Sequence, residues 1–501
     1  APDGESRIIR EIRFLISDVY SEEESEESSW ARFVNKYHTN TRESVIRSRV
    51  LFREGDVLDI DLIEQSERQL RRFAFLNTAQ VTVVPVDSLS VDIEVRTQDA
   101  WSLIPGLDIG GGGGLATVTA SLQQINLLGT GKKVFVEGTY ESDIDGWTGK
   151  FGYRDPQILS GRWVGSATYT NGPLIKSFFL AASRPLYSID AKWSYGGHAF
   201  LADQVVRRFE DGEESTRFGK DQQNVRGFVK RAFGERFKKT TVKFSLDYLR
   251  KDFSLLGSAT TEPPPPDQAN LTPLVGVSKV STDSWEKFTY VDKMGRTEDT
   301  RIGDSYGGHV GYGIPVEGGF ELWDVGAFYT NSTTFRHQQL LKTALNASSE
   351  VVRKTLLFAN VRYYKKFSRH TVATRFKVNY GWDLDGLLQF SLGSDSGLRG
   401  YPAREFTGER LVLINLEDRQ FWGNFSIGPE FALGTVVFVD AGNVWKEDEA
   451  VELDELNWSA GVGLRLGALN LPQQPILRVD IGWALGDQGG YAVTIGTEQQ
   501  F

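Results

Sequence analysis

The sequence predicts two parts: a small α+β domain over residues 1–100, then an all-β transmembrane barrel over residues 101–501. Three observations carry this reading. The N-terminal stretch mixes helix-period and strand-period apolar patterns, whereas everything after Trp101 repeats with period two. The chain holds 52 Gly, 31 Phe, 17 Tyr and 12 Trp, yet its mean hydropathy is −0.31. A barrel wall produces that combination, because alternate residues face lipid and a polar lumen. No run of about 18 apolar residues occurs, which excludes a helical membrane span. A large soluble all-β protein competes on composition alone.

In the N-terminal part, Ile8 to Phe14 alternates apolar and charged residues, as a half-buried strand does. The acidic run Glu22 to Glu27 reads as a solvated loop or helix start. Thr41-Arg42-Glu43-Ser44 opens a helix carrying Val45, Ile46, Val50 and Leu51, and Gly55-Asp56 ends it. A second helix, Asp59 to Phe73, spaces Leu62, Ile63, Leu70 and Phe73 along one face. Two strands follow, Gln80 to Val86 and Ser90 to Arg96, joined at Asp87-Ser88.

Beyond Trp101 the alternation is sustained. Val242, Phe244, Leu246 and Tyr248 interleave with Lys243, Ser245 and Asp247; Leu477, Val479, Ile481 and Trp483 interleave with Arg478 and Asp480. Serial hairpins of this kind, without helices, favour closure into a barrel, which removes exposed sheet edges. Short turns at Gly129-Thr130-Gly131 and Phe367 to His370 are expected at one end of it. Long polar segments, 203–222, 254–300 (with Pro263 to Pro266) and 332–350, are expected as loops at the other. The hairpins number sixteen to eighteen strands on this reading.

Chemistry is sparse. Five histidines stand apart with no metal-ligand spacing, and Gly393 to Gly397 has an aspartate where a hydrolase elbow has its nucleophile. The run Gly110 to Gly114 lacks the spacing of a phosphate loop. No catalytic residue, metal or cofactor is therefore expected. A formal net charge of −10 argues against nucleic-acid binding, and the absence of cysteine suits a chain that crosses an oxidising compartment. The start at Ala1, without methionine, reads as a mature chain whose secretory signal has been removed.

The most informative stretch is Gly393-Ser394-Asp395-Ser396-Gly397-Leu398-Arg399-Gly400-Tyr401-Pro402, a glycine-rich loop presenting one arginine. A confined guanidinium needs acidic partners, and Glu417 and Asp440 follow at inward-facing strand positions. Glycines 110, 111 and 112 weaken the first barrel strand, which must close against residues 491–501.

Loop, acid and acid in that order resemble the BamA/TamA superfamily of outer-membrane assembly and translocation barrels. So do Asp440-Ala441-Gly442-Asn443-Val444-Trp445 and the terminal Phe501, preceded by Tyr491, Val493 and Ile495. Phe52 to Asp56, Leu70 to Asn77 and the valine-rich hairpin resemble one POTRA domain. The resemblance implies sixteen strands and a loop, about 391–407, folded into the lumen. There Arg399, Gly400 and Tyr401 are held against Glu417 and Asp440. It further implies a lateral seam between Gly110, Gly111 and Gly112 and the strand of Val493, Ile495 and Phe501. The implied protein sits in a bacterial outer membrane with its N-terminal domain in the periplasm. It assists barrel insertion or polypeptide translocation, and its partners are outer-membrane lipid, unfolded client proteins and accessory periplasmic proteins. A passive or structural pore and a dedicated two-partner secretion translocator are the alternatives.

Overall fold

The computed structural model describes residues 7–112, 115–158, 162–188, 190–210, 213–235, 237–256, 264–294, 297–336, 338–351, 354–384, 388–426, 430–469, 476–486 and 490–501. Gly113, Gly114, Pro263 and His337 lie outside those residues. The N-terminal strands are β1 (Ile8–Ser17), β2 (Leu76–Pro85) and β3 (Ser90–Asp99), ordered β1-β3-β2. β3 is central, parallel to β1 and antiparallel to β2. Its Val91, Ile93 and Val95 are fully buried, joined by Ile46, Ile63 and Leu70 from the helices.

Four helices lie between β1 and β2: α1 (Glu22–Glu27), α2 (Ser29–Tyr37), α3 (Glu43–Arg47) and α4 (Ile60–Arg71). The acidic run is helical because Ser21 and Glu24 form a reciprocal capping box and its carboxylates sit at a helix N-terminus. The sequence reading lacked α2, whose apolar contribution to the core is only Ala31 and Val34. It also drew α3 too long; the helix stops at Arg47, and Val50 and Phe52 enter the core from an irregular segment.

This domain is tied to one arc of the barrel rim. Asn126 donates to the Thr41 hydroxyl at 2.8 Å, Arg42 to the Leu128 carbonyl at 3.1 Å and Gln69 to the Tyr187 carbonyl at 2.7 Å. The rim turn at Gly129-Thr130-Gly131 is therefore at the domain's end of the barrel, and alternation along the wall puts the Phe367 to His370 turn there too.

The wall runs antiparallel from Leu103–Gly112 to Tyr491–Gly496 and closes on itself. Outward positions such as Leu107, Val136, Phe151, Phe244 and Trp483 are exposed, and their neighbours in sequence point inward. Among the described residues it has 20 strands rather than sixteen. Part of the difference lies at 203–222 and 332–350, expected as loops, whose described residues are mostly strand: Trp193–Glu210 pairs Glu213–Glu235, and Leu322–Thr334 pairs Gln339–Val351. Glu213 to Gln223 carries polar residues on both faces, and Gln339–Val351 sets threonine, alanine and serine among its outward residues. Neither offers the period-two contrast that marks a lipid-facing strand.

The expected loop over 254–300 divides in the same way. Gln268–Ser281 is wall, whereas Ser284–Thr289 pairs with Thr297 to Ile302 as a hairpin that turns into the lumen from the domain's end. Its tip buries Val291 and Met294, and Lys342 reaches Asp292 at 2.9 Å.

Candidate functional site: the lumenal latch and the thin seam

The strand Arg410–Ser426 puts Asn415, Glu417 and Arg419 on its inner face, and Glu430–Trp445 does the same for Phe438 and Asp440. All five are buried although they belong to a barrel wall. What covers them is the loop between Trp382 and Arg410, which enters the lumen and forms the short ribbon Phe390–Leu392 with Phe406–Gly408. Leu392, Leu398 and Tyr401 of this segment bury against Leu411, Leu413 and Val444. The amides of Gly397 and Leu398 both donate to the Gly393 carbonyl, at 3.1 and 2.9 Å, making a tight turn.

Arg399 is fully buried. Its Nε and Nη2 donate to the two oxygens of Asp440, each at 2.8 Å, in the bidentate geometry that suits a guanidinium. Nη1 donates to Glu417 at 2.7 Å and to Asp480 at 3.1 Å. The plane rests 3.5 Å from the Phe438 ring centroid.

Two glycines permit this approach. Gly400, at φ +100°, lies against the backbone of Gly482 and Trp483; a Cβ on it would sit 2.9 Å from the Trp483 carbonyl carbon. Tyr401 donates from its hydroxyl to the Trp458 carbonyl at 3.0 Å and packs edge-on to Phe406.

Around this centre lies a second ring of charge. Arg419 donates to Glu417 at 2.8 Å, Arg465 to Asp480, and Asn415 to Asp440 at 2.6 Å and the Gly397 carbonyl at 2.8 Å. Every buried carboxylate here has at least two donors, which is what makes charge tolerable in a confined space. Sequence reasoning named Glu417 and Asp440 but not Asp480. Parity had already put Asp480 on the inner face beside Arg478; what it lacked was the curvature that brings Ile476–Leu485 to the loop.

Among the described residues Tyr491–Gly496 shares six register pairs with its preceding strand and one, Ile495 with Gly111, with the first. A Cβ on Gly110 would come within van der Waals reach of the Ile495 carbonyl, Gly112 pairs Leu115, and Val493 faces outward.

Phe501 is elsewhere. The last strand stops at Gly496 and the chain turns inward, so that Phe501 is buried among Phe288, Leu340 and Tyr364. Its carbonyl accepts from Arg419 at 2.9 Å, and its ring lies between Arg375 and Arg419, 5.1 and 5.0 Å away. The expectation that Phe501 lies on the last strand and at its seam fails because the lumenal cations hold the tail.

Among the described residues no group of histidine, aspartate and glutamate has metal-binding geometry.

Residues 339–501 match the model of the Omp85 superfamily domain. No curated protein sequence matches the chain. Among solved structures, CdiB from Escherichia coli superimposes with a TM-score of 0.50 at 16% identity, over 98% of this chain and 76% of that one. BamA from Haemophilus ducreyi lacking POTRA domains 1-3 gives 0.45 at 13% identity, over 98% and 84%. CdiB from Acinetobacter baumannii gives 0.47 at 11%, over 99% and 74%. At such identities the likeness is one of fold. The matched residues, about a third of the chain, carry Arg399, its three acids and the last strand, and over them the chain is similar to the Omp85 superfamily domain.

Proposed function

We propose that this protein assists the insertion of barrel proteins into the outer membrane, or the passage of polypeptide across it. In this reading the junction of Leu103–Gly112 and Tyr491–Gly496 is a lateral opening. The observation that carries it is the glycine run at the junction: Gly110, Gly111 and Gly112 leave the first strand without side chains where it meets Ile495. A strand so weakly held at its edge is a template for an incoming strand. The N-terminal domain, read as a POTRA-like module at the periplasmic end, presents clients and accessory proteins to it. Arg399, Gly400, Tyr401, Glu417 and Asp440 form the latch that keeps the loop inside while the seam works.

A passive pore is the weaker reading, because the loop, the hairpin at 284–302 and the tail at 497–501 all occupy the lumen. The test is folding of a client barrel by the full chain in liposomes, with cysteines at Gly111 and Ile495. Cross-linking is expected to abolish assistance and reduction to restore it. Undiminished assistance from the fully cross-linked protein ends the proposal.

A further inference from the structure

A cavity of 580 Å³ lies between the N-terminal domain and the inner rim of the barrel, within the size range of ligand sites. Its cations are Arg49, Arg68 and Arg72 from the domain, and Lys133 and Arg154 from the wall. Among the described residues lining it there is no carboxylate, although the chain as a whole has ten more acids than bases. The acids nearby are engaged: Glu64 pairs with Arg68 at 3.2 Å, and Asp155 with Lys132 at 3.2 Å.

The cations crowd one another. Burial and the adjacent Arg162 push the Arg49 guanidinium below its ordinary value. Arg49 spends Nη2 on the Pro156 carbonyl at 2.5 Å, and its buried Nε–H has no acceptor among the described residues. A buried donor without a partner, in a pocket of like charge, is costly unless an anion completes it.

Aromatic rings supply the remaining walls. Arg68 and Arg72 both lie over Trp285, 5.8 Å from its ring, and Arg49 lies 5.2 Å from Phe73. The site faces the lumen rather than lipid. Lys133 and Arg154 alternate with the outward Val136 and Phe151, so they point inward at the mouth.

We infer that this cavity is a binding site for an acidic segment of an extended polypeptide, its carboxylates held by Arg49, Arg72 and Arg154 and its apolar side chains by Trp285 and Phe73. The polypeptide occupant rests on the proposed function; the anion site rests on the residues alone.

The test uses the full chain in detergent and a short peptide alternating glutamate and phenylalanine, with its glutamine counterpart and inorganic phosphate as probes. Calorimetry is expected to show saturable binding of the acidic peptide. Arg49→Gln and the surface variant Arg72→Gln should each weaken it about tenfold or more, as loss of a charge-assisted bond does, while Arg72→Lys retains part of it. Equal binding of the glutamine peptide, or unchanged affinity in the folded Arg72→Gln variant, overturns the inference. Phosphate binding without peptide binding reduces the site to one for small anions and overturns it too. Peptide binding by a protein inactive in client folding sinks only the proposed function; active client folding without peptide binding sinks only this inference.

Discussion

Replacing Arg399 by alanine removes the one group that touches all three buried acids. The consequences are unequal. Glu417 keeps Arg419 at 2.8 Å and Asp480 keeps Arg465, whereas Asp440 keeps only neutral donors, Asn415 and the backbone amide of residue 399 at 3.3 Å. The penalty therefore concentrates on Asp440, a fully buried carboxylate. Breaking a buried pair by deleting one partner costs about 3–5 kcal/mol, and the surviving partners of Glu417 and Asp480 place this site near the lower end. At about 1.4 kcal/mol per tenfold, the population of barrels with a displaced loop rises roughly a hundredfold. Two assays read this: the urea midpoint of the folded band in a gel, and single-channel recordings in planar bilayers. The midpoint should fall and the trace should acquire opening events. Arg399→Lys should fall between, because an ammonium keeps the charge and loses the two-pronged geometry. A midpoint and a trace identical to wild type in Arg399→Ala would refute the reasoning.

Two further outcomes follow from geometry elsewhere in the loop. Gly400→Ala sets a Cβ at positive φ against the wall backbone, and should lower stability by about 1–3 kcal/mol, measured by the same urea midpoint. At the loop's outer end, burial alone would raise the Asp143 carboxyl, but Arg404 and Arg207, both at 2.8 Å, hold it below the usual carboxylate range. A depressed value means that the tether is at full strength above the unfolded pKa of about 3.9 and is lost as pH falls through the lower folded value. As pH falls below the usual carboxylate range, wild-type channel noise should therefore approach that of Asp143→Asn at pH 7, and noise independent of pH would exclude the tether.

How much of this was legible depends on where polarity alternates. Parity alone set Glu417 and Asp440 on the inner face, and the glycine-rich text around Arg399 marked a loop that needed them. Asp480 carried the same parity signal, but its nearness to the loop follows from closure of the sheet, which no local pattern encodes. The hairpin at 284–302 was hidden because Glu286, Asp292 and Lys293 read as solvent-facing, whereas they meet a wet lumen. Phe501 shows the converse. Its alternation with Val493 and Ile495 is genuine in the sequence, but Arg375 and Arg419 offer an aromatic ring a better site inside than lipid does outside. The strand count erred where polar stretches of wall showed no contrast between faces.

The N-terminal domain grips the barrel on one side only. Its contacts described here fall between Ser102 and Asp299, and β3 runs through Ala100 directly into the first wall strand. The opposite lip of the junction, Tyr491–Gly496, is the neighbouring strand and lies outside that gripped arc. In the proposed lateral opening, torque on the domain is thus delivered to a single jamb, and a twist too small to disturb the rest of the frame still changes the width of the gap.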